Sequence, residues 1–438
     1  RFYIAGVKKT DPEAQLCSNW AFTDHMPEAV CAPLDWISGD FTPEDALNSA
    51  RFSARYIAQQ GKPWDLMAWS FTTTPYRLNG SRQKPAIQIE QEAAVVLSLG
   101  GGFQPYYNQR RDGSVPLEHV PTIAEVARFC RVRQPFCQGA TPVPQIALLY
   151  STASHYREIN SLFGRDLSRM SGTLQALIES QQTVDIVSEH HLAGRMGQYP
   201  LIIVAECDYL EPAFKSNLLD YVQNGGDLLI IGPQAANLFA SELGVTLGPP
   251  EDGHLYLSSG DALVETRDQV RAARLGDKAK SIGQLRAGQD AQSALPAASI
   301  SSLGKGKIAA TYFSFSRGYL HDRSVPRRAF LADLVHRLFP NPMVEVTGSP
   351  YVDVSVMRHG GALSINLVNT SGPHADPNHA LFDSIQPVGP LVAKIRLEQR
   401  PSKITLEPEH KPLEFNFESG MAQLTVPSVE IHSVLTVE

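Results

Sequence analysis

Residues 15–130 repeat a strand-then-helix rhythm with four strands, and four strands are too few to close a (β/α)8 barrel, which needs about eight. Strands are expected at 15–20, 34–38, 65–69 and 96–99, the last running into Gly100, Gly101 and Gly102. Helices are expected at 46–58, 87–95 and 122–130. The helix at 46–58 carries a full start signal, with Thr42 as N-cap, Pro43 in the first turn, and Glu44 and Asp45 at the positive end of the dipole; Gly61 stops it. Units of this length fit half of a (β/α)8 barrel, with an open sheet as the alternative. Arg1 is not a methionine and the first residues are not a signal peptide, so the barrel reading expects a preceding half.

A Pro-rich linker at 138–145 leads into a second α/β domain. Short all-apolar runs at 146–150, 183–187, 201–204, 227–231 and 307–312 alternate with helical stretches at 167–180, 213–223 and 327–338. Runs of that kind suit a parallel sheet covered on both faces, and the arrangement is flavodoxin-like. Residues 245–305 read as short strands and loops. From Pro342 the pattern changes to period two, at 351–356, 362–368, 392–396, 422–426 and 432–437, which predicts a small antiparallel β-sandwich. The fold class is therefore α/β with three domains, at 1–137, 146–340 and 342–438.

The net charge of −7 argues against a nucleic-acid or anionic-membrane surface. No apolar stretch reaches the ~18 residues that a spanning helix needs. The five cysteines, Cys17, Cys31, Cys130, Cys137 and Cys207, are odd in number and fit no zinc spacing, so no metal and no cofactor are expected. Cys130 and Cys137 could pair if the segment between them folds back; buried free thiols are the alternative.

All four tryptophans, Trp20, Trp36, Trp64 and Trp69, lie in the first 69 residues. Indole offers a flat apolar face and one N–H donor, which suits the C–H face of a pyranose, although one shared core would also gather them. Barrel chemistry sits at the C-terminal ends of strands. Those ends read Asn19-Trp20, Ser38-Gly39-Asp40, Trp69-Ser70 and Gly100 to Gln104. Asp40 is the carboxylate that falls directly on a strand end, as a general acid/base or as an extra helix-capping acid. Asp24, His25 and Glu28 share the loop after the first strand and are hydroxyl ligands or a solvated loop. Asp65 starts its strand, at the wrong end of a barrel. Arg51 and Arg55 are one helical turn apart and are expected on the helix surface. Cys207 follows a strand, but Ala205-Glu206-Cys207-Asp208-Tyr209 has no glycine, so the tight elbow of a nucleophilic cysteine is not expected there.

Three stretches carry a family resemblance: Cys17 through Glu28, Ser38-Gly39-Asp40, and Asn48 to Arg51 with Lys62 through Phe71. Together they resemble bacterial α-L-fucosidase-like proteins of the barrel type and the hypothetical glycosyl hydrolase barrels related to them. The order of barrel, amidotransferase-like domain and β domain is similar to that of trimerising β-galactosidases. In those proteins a middle domain, with motifs like Tyr209-Leu210 and the run Tyr221 to Gly226, has lost its active cysteine and serves assembly. The resemblance implies a retaining exo-glycosidase for terminal α-L-fucose on an oligosaccharide or glycoconjugate, with another hexose such as a β-galactoside, or sugar binding without catalysis, as alternatives. It implies a nucleophilic aspartate on the fourth barrel strand, before Arg1, and an acid/base farther along, for which Asp40 is the choice and Asp24 or Glu28 the replacements. Trp20, Trp36 and Trp69 would line the sugar subsite, with Asp24, His25 and Gln104 on its hydroxyls. A homo-oligomer formed through the middle domain is expected.

Overall fold

The computed structural model describes residues 1–19, 27–41, 45–72, 82–158, 166–260, 262–288, 293–374 and 381–438. The chain forms two compact units, one of residues 1–143 with 343–438 and the other of residues 144–342.

The first unit begins with helix α1 (Phe2–Thr10), which has no buried residue. Four strands follow in one parallel sheet: β1 (Cys17–Asn19), β2 (Trp36–Asp40), β3 (Trp64–Trp69) and β4 (Gly102–Tyr106), side by side in chain order. Helices α2 (Ala46–Ile57) and α3 (Ala86–Leu97) connect β2 to β3 and β3 to β4, and α4 (Val120–Cys137) closes the series. Among the described residues the strands form an open sheet, not a closed barrel. The Thr42 start signal lies outside the described residues; Gly61 ends the turn after α2 with φ of 70°.

The fourth strand corrects the sequence reading. Val96 and Leu97 belong to the end of α3, and the chain turns through Gly100, at φ of 88°, before the strand starts at Gly102. An apolar run is ambiguous between a buried helix end and a buried strand, and here the helix won. Gly101 has no room for a side chain, since a Cβ would lie 2.3 Å from the Trp64 ring.

The second unit carries a nine-stranded sheet. Its parallel part consists of β5 (Ile146–Leu149), β6 (Val184–Val187), β7 (Leu201–Ala205), β8 (Asp227–Ile231) and β13 (Gly306–Thr311), in the spatial order β6-β5-β7-β8-β13. Counted along the chain this is 2-1-3-4-5, the flavodoxin order. Helices α5 (Thr152–Glu158), α6 (Ser168–Ile178) and α7 (Pro212–Gln223) lie among these strands in the sequence. The strands are mostly apolar and buried, the exceptions being buried Asp185 in β6, Asp227 at the start of β8, and Lys307 and Thr311 in β13.

Residues 245–305 are not short strands and loops. They make four antiparallel strands, β9 (Val245–Ser259), β10 (Ala262–Leu275), β11 (Lys280–Arg286) and β12 (Ala294–Leu303), which extend the sheet from β13. Their polar, glycine- and proline-containing sequence hid the ladder, because β9 is half-buried or exposed along almost its whole length. Helices α8 (Ser316–Asp322) and α9 (Val325–Leu338) end the unit.

The remaining strands return to the first unit. One sheet joins β14 (Val344–Thr347), β17 (Leu391–Arg396), β20 (Met421–Val426) and β19 (Phe415–Glu418). The other joins β18 (Ile404–Glu407), β21 (His432–Val437), β16 (Ala362–Asn369) and β15 (Val352–His359), with Lys411–Pro412 and Thr141–Pro142 at its edges. Val344, Val346, Val354, Ile365, Leu391 and Leu424 from both sheets share one core, a sandwich. The other face of β15 and β16 is also covered. Met357 and Val368 pack with Ile57, Ala94 and Phe129 from the helices, and Ser355 Oγ donates to Ser98 O at 2.7 Å.

Candidate functional site

Alternation along the strands decides which side chains share the open face of the four-stranded sheet. Ile37 on β2, and Leu66 and Ala68 on β3, are buried against the helices. Trp36, Ser38 and Asp40 must then point the other way, as must Asp65, Met67 and Trp69. On β4, Phe103 packs toward the helices, which puts Gln104 and Tyr106 on the open face. Register aligns them. Asp40 lies opposite Met67 and Met67 opposite Gln104, so one row crosses three strands; Trp69 lies opposite Tyr106, one row closer to the C-terminal ends.

Asp40 is the last residue of β2 and is half-buried. Above its row stands an aromatic group. Trp69 and Tyr106 meet edge to face with centroids 6.3 Å apart, and Phe71 packs on both, at 5.4 Å from Trp69 and 5.6 Å from Tyr106. Buried Ser70 locks this corner: its N–H and Oγ both donate to Tyr106 O, at 3.0 and 2.5 Å. Ser70 O in turn accepts from Lys84 N and Gln83 Nε2, at 2.8 and 2.7 Å. Lys84 is anchored by a buried ion pair, its Nζ 2.8 Å from Glu92 Oε1 on α3. Burial raises the Glu92 carboxyl above its ordinary value, and Lys84 opposes that rise.

Below the Asp40 row, Asp65 accepts two hydrogen bonds, from Trp36 Nε1 at 3.1 Å and Ser38 Oγ at 2.5 Å. Burial pushes its carboxyl upward against those two donors. Trp36 therefore differs from its expected place. It starts β2, four residues and about 13 Å of strand from Asp40, and its N–H is committed to Asp65.

Of the other expected site residues, Trp69 ends β3 and Gln104 lies in the middle of β4, not at a strand end. Gln104 still shares a row with Asp40, because β4 starts later than the sequence suggested. Glu28 is exposed. Trp20, Asp24 and His25 lie outside the described residues. Sequence reasoning missed Tyr106 and Phe71. A period-two reading of 102–106 would have flagged Tyr106, but that stretch was taken for a glycine turn.

The arrangement offers one carboxylate at a strand end, an amide in its row, and an aromatic wall beyond it. That combination can hold a sugar ring on its apolar face and exchange a proton at its edge. Among the described residues no cluster of three or more His, Cys, Asp or Glu is arranged to hold a metal ion. Cys130 and Cys137 are both free and lie on the single helix α4, which rules out the fold-back that would pair them.

No known protein-family profile matches this chain, and no curated protein matches it. Solved structures do. Alpha-L-fucosidase isoenzyme 2 from Paenibacillus thiaminolyticus matches with a TM-score of 0.74 at 16% identity, over 89% of this chain and 63% of that one. Gan42B, a GH42 beta-galactosidase from G. stearothermophilus, matches with a TM-score of 0.70 at 14% identity, over 99% of this chain and 65% of that one. The beta-galactosidase of the Antarctic haloarchaeon Halorubrum lacusprofundi gives 0.66 at 13%, over 100% and 65%. This chain therefore spans somewhat under two thirds of the length of each. At such identities the likeness is one of fold alone, shared with the matching parts of those enzymes.

Proposed function

We propose that the protein is a retaining exo-glycosidase that removes terminal α-L-fucose from an oligosaccharide or glycoconjugate, with Asp40 as its acid/base. The observation that carries this reading is the position of Asp40, at the C-terminal end of a parallel strand, in one row with Gln104 and just below the Trp69–Tyr106 wall. In the first step the protonated Asp40 would give its proton to the leaving oxygen; in the second its carboxylate would take one from water. Gln104 would bind a ring hydroxyl, with Asp24 and His25 on others and Trp20 completing the wall. A 6-deoxy sugar presents a methyl group as well as C–H edges, which suits an all-aromatic wall.

A retaining pair needs a second carboxylate about 5–5.5 Å away. Asp65 is a poor choice, since both its oxygens already accept hydrogen bonds from Trp36 and Ser38. The reading assigns the nucleophile to strands that would complete the barrel. The fold likeness to a fucosidase, at a TM-score of 0.74, supports the sugar choice.

A second reading, a β-galactosidase, is favoured by the fuller overlap with Gan42B, 99% of this chain against 89% for the fucosidase. Initial rates on a panel of 4-nitrophenyl glycosides, measured with the full-length protein, separate the two. The α-L-fucoside should be turned over fastest. Preference for the β-D-galactoside would replace the first reading by the second, and sugar binding without turnover of any substrate would remove both.

A further inference from the structure

The C-terminal ends of β5 and β7 border a cavity of about 590 Å3, and every residue lining it belongs to the second unit. These two strands flank the point where the order 2-1-3-4-5 reverses, so the chain leaves them toward opposite faces of the sheet and a crevice must open between. Leu149, Leu167 and Met170 give the crevice an apolar body. A smaller hollow of about 240 Å3 shares Arg169, Glu206 and Arg317 with it.

Glu206 sits on the sharp turn after β7, with φ of 46°. The backbone turns sharply there without glycine, and its left-handed residue is the glutamate, not Cys207, so the turn does not present the cysteine as a nucleophile's elbow would. Non-glycine residues are held in that region only where their surroundings over-determine them, and such places cluster at ligand sites. Cys207 is buried and its thiol is pushed well above its ordinary value, chiefly by burial, which makes it a poor nucleophile.

The charges around the two hollows are unbalanced. Among the described residues, six carboxylates, Glu158, Asp166, Glu206, Asp208, Asp252 and Asp268, line them beside two guanidinium groups. Both guanidiniums are committed: Arg169 bridges Glu158 and Asp208, at 3.3 and 2.7 Å, and Arg317 pairs with Asp166. Glu206 Oε1 accepts the N–H groups of Phe315 and Ser316, at 2.8 Å each, and among the described residues Glu206 has no ion pair. An anion entering here would find its arginines occupied, whereas a cation would find a buried carboxyl that makes no ion pair among the described residues.

We propose that this crevice binds a small organic cation, its ammonium or guanidinium head against Glu206 and its apolar body against Leu149, Leu167 and Met170. The apolar floor and the lack of any metal-holding cluster among the described residues favour an organic cation over a metal ion. The site lies wholly within the second unit and does not depend on the glycosidase reading.

Burial pushes the Glu206 carboxyl up to about 7, with Asp268 of β10 adding to the rise and the two backbone N–H donors and Arg169 of α6 opposing it. Among the described residues, Glu158 and His155 of α5, Asp208 after the turn, Asp252 of β9, and Arg317 of α8 with its partner Asp166 also line the two hollows. A cation binds the ionised carboxylate, so its affinity should rise with pH between 6 and 8.

The test is calorimetric titration of the full chain with benzylamine, benzyl alcohol and benzoate, which share one shape and differ in charge. Benzylamine should saturate one site, at least ten-fold more tightly than the alcohol, and benzoate should not bind. Glu206→Gln keeps the acceptor for the backbone N–H groups; it should weaken benzylamine at least ten-fold and abolish the pH dependence. Met170→Trp, which fills the crevice, should remove binding while Glu206 stays in place. Absence of saturable benzylamine binding, equal binding of the alcohol, or affinity and pH dependence unchanged in Glu206→Gln would each overturn the proposal.

Discussion

Arg55 of α2 donates from Nη2 to Asp353 Oδ1 of β15 at 2.5 Å, across 298 residues of chain, and both side chains are buried. Arg51, one turn earlier, reaches the other oxygen from Nε at 3.0 Å. The pair ties the helical layer around the parallel sheet to the sandwich within the first unit. Sequence reading put both arginines on a helix surface. They are instead buried, because the polar face of β15 is covered by α2 and α3.

Asp353→Ala should destabilise the first unit by about 3–5 kcal/mol, since it strands two buried guanidinium groups. Denaturant unfolding followed by the fluorescence of the four tryptophans, all in that unit, measures it. Burial alone would raise the Asp353 carboxyl, but Arg55 and Arg51 outweigh it and hold the carboxyl below its ordinary value. The stability this confers is present above the unfolded value near 4 and is lost as pH falls through the lower folded value. The Asp353→Ala penalty should therefore shrink on acidification below about pH 4.

The Lys84–Glu92 pair makes a different prediction. Lys84→Met leaves Glu92 buried and should cost about 3–5 kcal/mol, while the double change Lys84→Met with Glu92→Leu should recover most of it. A double-mutant cycle in urea decides this. A double variant no more stable than Lys84→Met would show that the pair holds the Ser70 corner by geometry that apolar packing cannot replace.

Glu206 gives a stability slope of opposite sign to that of Asp353. Its folded value, about 7, lies above the unfolded value near 4.3, so the folded state keeps a proton that the unfolded chain has lost. Stability should fall as pH rises from about 4.3 to 7 and level off above. In Glu206→Gln that fall should be reduced, which melting temperatures at pH 5 and pH 8 would reveal.

How much of this was legible in the sequence can be read from single elements. Strands such as Leu201–Ala205 and Asp227–Ile231 were visible because a parallel strand buried on both faces is an unbroken apolar run. The β9–β12 extension was not, since its sequence is polar, broken by glycine and proline, and mostly half-buried or exposed, which leaves no clear periodic signal. Asp40 was found at its strand end because Gly39-Asp40 stands just before the start signal of a helix. Gln104 was chosen for a turn it does not occupy, yet register brings it level with Asp40. Trp36 was grouped with Asp40 by sequence proximity alone, and an extended strand separates its ends faster than any other local structure. The Arg55–Asp353 pair spans 298 residues of the 438, and no local pattern encodes it.

Trp69 tests the wall. Trp69→Ala should raise KM for an aryl α-L-fucoside about ten-fold, the loss of roughly 1.4 kcal/mol of apolar contact, with kcat changed much less. A kcat loss at constant KM would place Trp69 in transition-state stabilisation instead.

The most direct test of the central claim compares the native protein with Asp40→Asn on two α-L-fucosides, one with a nitrophenol leaving group and one with an alcohol. An acid/base matters most where the leaving oxygen needs its proton. Asp40→Asn should therefore lower kcat/KM on the alkyl substrate by about 10²–10⁴-fold and on the nitrophenyl substrate by much less, with the melting temperature unchanged. Undiminished turnover of the alkyl fucoside by Asp40→Asn would contradict the account.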